Sequence, residues 1–172
     1  WALAADAPLP PPQWPRPAGG HPKPRLSANG RFDTASQRAN FRPVTPRPPS
    51  IHADEAYPLV LNTGRVRDHW HTMTRTGKSP RLSAHDTEPF ITLHPEDAEK
   101  LRLEAGQPAA VHSHWGPATL RPRVCDRMQP RSVSAPMHWN VQSARAARVG
   151  SLIHGQFDLI YGQPEFKNTP VR

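Results

Sequence analysis

The chain has 172 residues and a formal net charge of +8, a length that suits one domain with a tail. The cationic excess points to an anionic partner such as nucleic acid, anionic lipid or a phosphorylated ligand, although the Arg-rich composition of a GC-rich genome accounts for it equally well. The single cysteine, Cys125, excludes an intrachain disulfide framework and a Cys-ligated iron–sulfur cluster, and no apolar run approaches the ~20 residues that a membrane span needs.

Twelve of the 23 prolines lie in the first 50 residues. Proline lacks an N–H and fixes φ, so this stretch is predicted to be an irregular linker rather than helix or inner strand. Residues 1–24 read as linker throughout. Arg25 to Val44 permits a short hairpin around the turn signal Asn29-Gly30, and Pro43, Pro46, Pro48 and Pro49 form a second linker. The division expected is therefore 1–50 as a Pro-rich tail and 51–172 as the compact domain.

Tyr57-Pro-Leu-Val-Leu-Asn62 reads as a buried strand leading into a loop at Thr63-Gly64. Arg65 to Gly77 follows neither a helical nor a strand period. Phe90 to Leu93 is a second strand. His94 to Leu101 is a short helix, with Pro95 in its first turn and Glu96 and Asp97 on the positive end of its dipole. Strands are also predicted at 109–115, 118–124 and 133–138, and a helical turn within 141–153. Residues 162–170 read as loop. Short strands at regular spacing with one short helix suggest a small barrel.

The densest chemistry lies between Asn62 and Lys78. The preceding strand positions the start of this segment rigidly, and Gly64 permits close backbone approach to a ligand. Thr63, Thr72, Thr74 and Thr76 bring hydroxyls. Arg65, Arg67, Arg75 and Lys78 bring cations, and the arginine fork suits phosphate oxygens. His69, Trp70 and His71 bring flat rings. A loop gripping a phosphorylated, ring-bearing ligand needs this set, and a solvated basic loop is the plainer alternative. His69-x-His71 and His112-x-His114 lack nearby thiolate or carboxylate ligands beyond Asp68, which argues against zinc. No serine lies in a nucleophile-elbow pattern.

The segment Tyr57-Pro-Leu-Val-Leu-Asn-Thr-Gly-Arg-Val-Arg-Asp-His-Trp-His-Thr-Met-Thr-Arg-Thr-Gly77 resembles the opening of the C-terminal molybdopterin-dinucleotide-binding domain of assimilatory nitrate reductases. These enzymes belong to the DMSO reductase superfamily of molybdopterin oxidoreductases. Pro136-Met-His-Trp-Asn140 and Gly162-Gln-Pro-Glu-Phe-Lys167 resemble later motifs of that family, in the same order. Arg31-Phe32 and Arg38-Ala-Asn-Phe41 resemble the segment leading into the domain. The resemblance implies a mainly β fold, a six-stranded double-psi β-barrel with short helices. It also implies a bis-molybdopterin guanine dinucleotide cofactor carrying molybdenum. Thr63, Gly64, Arg65, Val66, Arg67, Asp68, His69, Trp70, His71 and Thr72 match the family's cofactor-binding run, and Lys167 matches a cofactor-binding lysine. His138 falls where related periplasmic enzymes carry a residue lining the substrate channel.

In three places the sequence departs from the family pattern. Gly150 follows Arg148-Val149 where an Asn cofactor contact is usual. Asp158-Leu-Ile-Tyr-Gly162 replaces an Asp-Pro-x-Ser-Gly run, and Arg131 replaces a turn glycine. No molybdenum-ligating cysteine or iron–sulfur motif is present, and a 4Fe-4S cluster is expected only in a missing N-terminal part. The expectation is a fragment that does not reduce nitrate alone and that partners the remaining domains of a large cytoplasmic enzyme, with no nucleic acid or membrane partner. A basic, Pro-rich nucleic-acid-binding or adaptor module is the alternative. The sparse aromatics, 7% of residues, and the lack of a stacking-platform pattern count against it.

Overall fold

The computed structural model describes residues 25–104 and 106–172. The linker expected over residues 1–24 lies outside them. Two compact units meet between Arg47 and Pro48. In the described part of the first unit the chain makes turns and no strands. The Gly30 amide donates to the Ser27 carbonyl at 2.9 Å, so the turn at Asn29-Gly30 forms. The hairpin does not, because the flanking residues lack the alternating apolar face that would pin a ladder.

The second unit is built on six strands: β1 Leu59–Gly64, β2 Phe90–Leu93, β3 Ala109–His112, β4 Pro117–Val124, β5 Ser132–Pro136 and β6 Thr169–Val171. They are ordered β3-β4-β2-β5-β1-β6. β1 runs parallel to β5, with Leu61 opposite Val133 and Gly64 opposite Pro136. β1 also runs antiparallel to β6. The first half of β4 pairs antiparallel with β3 and its second half parallel with β2. Beyond the edge strands, the His112 and Arg172 amides each donate to the other's carbonyl at 2.9 Å. These two bonds tie the outer edges of β3 and β6 at one residue pair and curl the sheet into a barrel-like form.

Alternation along each strand fills the barrel. Leu59, Leu61, Ile91, Leu93, Val111, Ala118, Leu120, Val133, Ala135 and Val171 are buried together, with Ala147, Val149 and Leu152 sealing one side. Each fully buried Leu or Val contributes roughly 1.5–3 kcal/mol. The expected second strand is found at the same residues. β6 was read as loop, because Pro170 removes a ladder donor and the pairing that holds the strand is long-range.

Helix α1 (Pro80–Ser83) was not anticipated. Helix α2 (Pro95–Lys100) was, and His94 caps it by accepting the Glu96 amide at 3.2 Å. Asp97 of α2 is buried and its carboxylate accepts the Arg131 amide at 2.7 Å. Arg131 has φ +65°, the left-handed conformation that glycine adopts freely. The backbone thus still has the shape of a glycine turn. The strain of about 1 kcal/mol is offset by a charge-assisted hydrogen bond of roughly 1.5–3 kcal/mol. Two outcomes are expected in thermal and urea denaturation. Arg131→Gly raises stability by up to about 1 kcal/mol, and Asp97→Ala lowers it by about 1–3 kcal/mol by stranding the Arg131 amide.

Candidate functional site

Because β1 and β5 are parallel neighbours, Gly64 and Pro136 leave the barrel side by side, and the segments after them emerge together. The Met137 amide continues the pairing by donating to the Gly64 carbonyl at 3.0 Å. His138 then enters the loop after β1. Its Nε2 accepts the Val66 amide at 2.9 Å and its Nδ1 donates to the His71 carbonyl at 2.6 Å. An amide can only donate and a carbonyl only accept, so the ring is neutral with its proton on Nδ1. His138 is 0% exposed, with both ring nitrogens engaged by backbone. Burial pushes its pKa below the ordinary imidazole value.

The loop is also tied to itself. His69 is buried, and its Nδ1 lies 3.2 Å from the Thr76 hydroxyl, which also accepts the Trp70 amide at 3.3 Å. The Thr63 hydroxyl donates to the Phe166 carbonyl at 2.9 Å. Thr63 and His69 are therefore committed inward. Arg65, Arg67, Trp70, His71 and Thr72 face solvent, with Trp70 64% exposed. His71 and Met73 adopt φ +43° and +61°, a conformation that side chains disfavour and that concentrates at functional sites.

Arg67 grips Asp68 with two hydrogen bonds, at 3.0 and 3.2 Å, and His85 Nδ1 lies 2.7 Å from the same carboxylate. The Arg67 hydrogen bond first, and that of His85 second, hold the Asp68 carboxyl below the usual carboxylate range. Arg67 and Asp68 thus largely neutralise each other. Arg65, Arg75, Lys78 and Lys167 form no ion pair among the described residues. The Lys167 ammonium donates to the Thr63 carbonyl, so the C-terminal lysine and the start of the loop share one place. Further along the loop lies an open cleft of about 350 Å³, lined by His69, Thr72, Lys78, Trp139, Asn140 and Ser143 among others.

Asn140 closes the family-like motif Pro136-Met-His-Trp-Asn140 but was not read as a site residue. Its amide donates to the Thr72 carbonyl at 3.4 Å, while its Oδ1 accepts the Gln142 amide at 2.9 Å. The Asn-x-x-Ser spacing of a side-chain-capped turn was the available signal. The departures from the family pattern also acquire a structural reading. Gly150 sits in the 3-10 turn Val149–Ser151, and a Cβ there would meet nothing within 4 Å. Asp158 Oδ1 accepts the amides of Ile160 and Tyr161 at 2.9 and 2.7 Å, and Gly162 supplies φ +67°. The turn stands on the two residues that were kept, so it survives without the proline and serine.

A model of the Molydopterin dinucleotide binding domain matches residues 59–170, the span from the start of β1 into β6. The chain belongs to this molybdopterin-dinucleotide-binding family. The nitrate reductase of Klebsiella oxytoca is 46% identical over 129 residues, covering 75% of this chain and 15% of that protein. The assimilatory nitrate reductase catalytic subunit of Bacillus subtilis is 32% identical over 162 residues, covering 92% of this chain and 22% of that protein. The F420-dependent formate dehydrogenase subunit alpha of Methanocaldococcus jannaschii is 32% identical over 126 residues, 73% of this chain and 19% of that protein. The chain thus spans between 15% and 22% of these relatives. The structure of acetylene hydratase from Pelobacter acetylenicus matches with a TM-score of 0.53 at 19% identity, covering 67% of this chain and 18% of that chain. It speaks for the shared fold. The mainly β architecture expected from the sequence, with six strands and short helices, is the one found.

The donor set present fits a dinucleotide ligand of this family. Cations without acidic partners suit phosphate oxygens. A Cβ on Gly64 would meet only the Ser134 hydroxyl, at 3.6 Å, so the chain itself does not require glycine there and the remaining space is open to a ligand.

The Asp68 carboxylate contributes to the folded loop at pH values above its ordinary pKa. That contribution disappears as pH falls through the lowered folded value. By carbon-13 NMR its titration midpoint is expected below the usual carboxylate range, and Arg67→Ala raises it.

Proposed function

We propose that residues 51–172 hold a bis-molybdopterin guanine dinucleotide in a nitrate-reducing molybdenum oxidoreductase, with residues 1–50 as the tail of a preceding domain. The observation that carries this reading is the bond from the Lys167 ammonium to the Thr63 carbonyl, two residues before Arg65, with neither cation in an ion pair among the described residues. The family match over 59–170 and the likeness to nitrate reductases support it. The double-psi connectivity expected of the barrel, a 4Fe-4S cluster in a preceding part, and a cytoplasmic site belong to the same proposal. Among the described residues no helix is long and apolar enough to cross a membrane. The partners in this reading are the remaining domains of the enzyme, with neither nucleic acid nor a membrane.

Each residue has a defined task. Gly64 lets the backbone of the loop lie close to the ligand, and Thr63 holds the end of β1 to the C-terminal segment. Arg65 and Lys167 balance pyrophosphate charge. Val66 and Asp68 shape the loop, Asp68 by fixing Arg67. Trp70 offers an exposed ring face for stacking a purine or pterin, a contact worth roughly 0.5–1.5 kcal/mol. His69 and Thr72 line the cleft and His71, exposed beside it in sequence, supplies a further polar contact. When bound, the molybdenum cofactor supplies a two-electron centre for oxygen-atom transfer. This chain's part is to retain and orient that group and to keep water from its phosphates.

Arg65→Ala in the protein purified from a molybdenum-replete host is expected to lower molybdenum and pterin content about tenfold, the scale of one charge-assisted hydrogen bond. Gly64→Ala is expected to keep its melting temperature and lose pterin. Metal analysis and pterin fluorescence provide the readout. Unchanged content in both variants would refute the assignment.

A further inference from the structure

The contacts of His138 extend beyond the ligand-facing residues. We propose that His138 is the positioning residue of this site: its ring clasps the Val66 amide and the His71 carbonyl, gives the 65–71 loop its ligand-holding shape, and releases the loop when it is protonated. The dinucleotide part of this inference rests on the function proposed above, whereas the clasp itself does not.

The clasp joins the two ends of the segment. Val66 lies just beyond Arg65, and His71 just before Thr72. The other ties of this segment, to Thr76 and His85, run to neighbouring parts of the same excursion between β1 and β2. His138 instead stands at the exit of β5 and anchors both ends to the barrel. Asn140 adds a longer contact to Thr72. The left-handed His71, φ +43°, turns its carbonyl toward the ring, so the strain at that residue accompanies the hydrogen bond it makes possible.

Only the neutral ring with its proton on Nδ1 satisfies both partners. A second proton on Nε2 would confront the Val66 N–H with another donor, and that contact must break. The groups facing the ring offer the imidazolium no compensation. His69 packs with its ring centroid 5.7 Å away, Arg65 and His71 lie nearby, and Trp139 forms the remaining wall at 6.2 Å. The ionisable neighbours are cationic when charged, and Asp68 is engaged by Arg67 and His85. Burial foremost, then the charges of His69, Arg65 and His71, lower the His138 pKa, partly opposed by the His71 carbonyl bond. A histidine with a depressed folded pKa contributes fully above its unfolded value near 6.5, and its contribution is lost as pH falls from there through the folded value. The loop is therefore held most firmly at neutral pH, and the hold weakens as pH falls below about 6.5.

The test is amide hydrogen exchange on the 172-residue chain, with nitrogen-15 NMR of the imidazole. In the wild type, proton on Nδ1 and free acceptor on Nε2 are expected at neutral pH. Between about pH 8 and about pH 5.5, Val66 protection is expected to fall by up to about tenfold after correction for intrinsic rates, while Leu61 and Val133 hold theirs. His138→Phe removes both contacts at similar size and should expose Val66 about tenfold more at neutral pH, without the acid step. His138→Gln, an acceptor that does not titrate, should restore part of the protection and also lack the acid step. A ring protonated on Nε2 at neutral pH, or a Val66 amide equally protected in His138→Phe, overturns the clasp. If His138→Phe fails to fold, the wild-type tautomer and acid step still decide. Pterin content of a folded His138→Phe protein separates the two claims: an opened loop with full pterin content overturns the 65–71 binding site and leaves the clasp standing.

Discussion

The parallel pairing of β1 with β5 is the constraint on which the rest depends. Parallel neighbours end at the same edge of the barrel, so the segments after Gly64 and Pro136 leave together. In an antiparallel pair the loop after β1 would lie opposite the start of β5, and His138 and Asn140 would be a strand length away. The loop's own hydrogen bonds tie it only to other parts of the excursion between β1 and β2. Here it borrows order from a closed, apolar barrel through contacts with the segment beside it.

The balance of charge follows the same plan. One arginine, Arg67, is consumed by Asp68 and does structural work at the surface. Among the described residues Arg65, Arg75, Lys78 and Lys167 have no carboxylate partner, and Lys167 from the C-terminal segment bonds to Thr63 at the start of the loop. Unbalanced charge of one sign costs stability through repulsion. The apolar layers around Leu61, Leu93, Leu120 and Val133 supply enough burial for the fold to carry that cost.

Much of this was legible in the sequence where the signal was local. Phe90 to Leu93 is a short apolar run held between Pro89 and the His94-Pro95 helix start, and it forms the strand read there. Asp97 was placed correctly in the first turn of α2, but its partner, the Arg131 amide, lies across the fold and leaves no trace in the spacing. β6 escaped notice for the same reason. Three residues around a proline carry no period, and only the distant edges of β1 and β3 make them a strand. The loop chemistry was readable as composition, a concentration of cations, hydroxyls and rings after a buried strand. Which of those side chains turn inward was not. Thr63 and His69 spend their polar atoms on Phe166 and Thr76, and the expected channel residue, His138, has both ring nitrogens occupied by backbone. Short motifs report residue types, whereas hydrogen-bond direction depends on partners that only the closed barrel brings near.

The order of strands around the barrel also bears on how it is made. β1 emerges first in the chain, yet both of its neighbours, β5 and β6, come last. Local pairings such as β3 with β4 can form as soon as their turn exists. β1 must instead wait, with its apolar residues unpartnered, until β5 and β6 have been made. Pairings between distant segments form slowly, and an unpaired apolar strand is prone to self-association. The first strand is therefore the last to find its partners, and the sheet is complete only when β6 joins it.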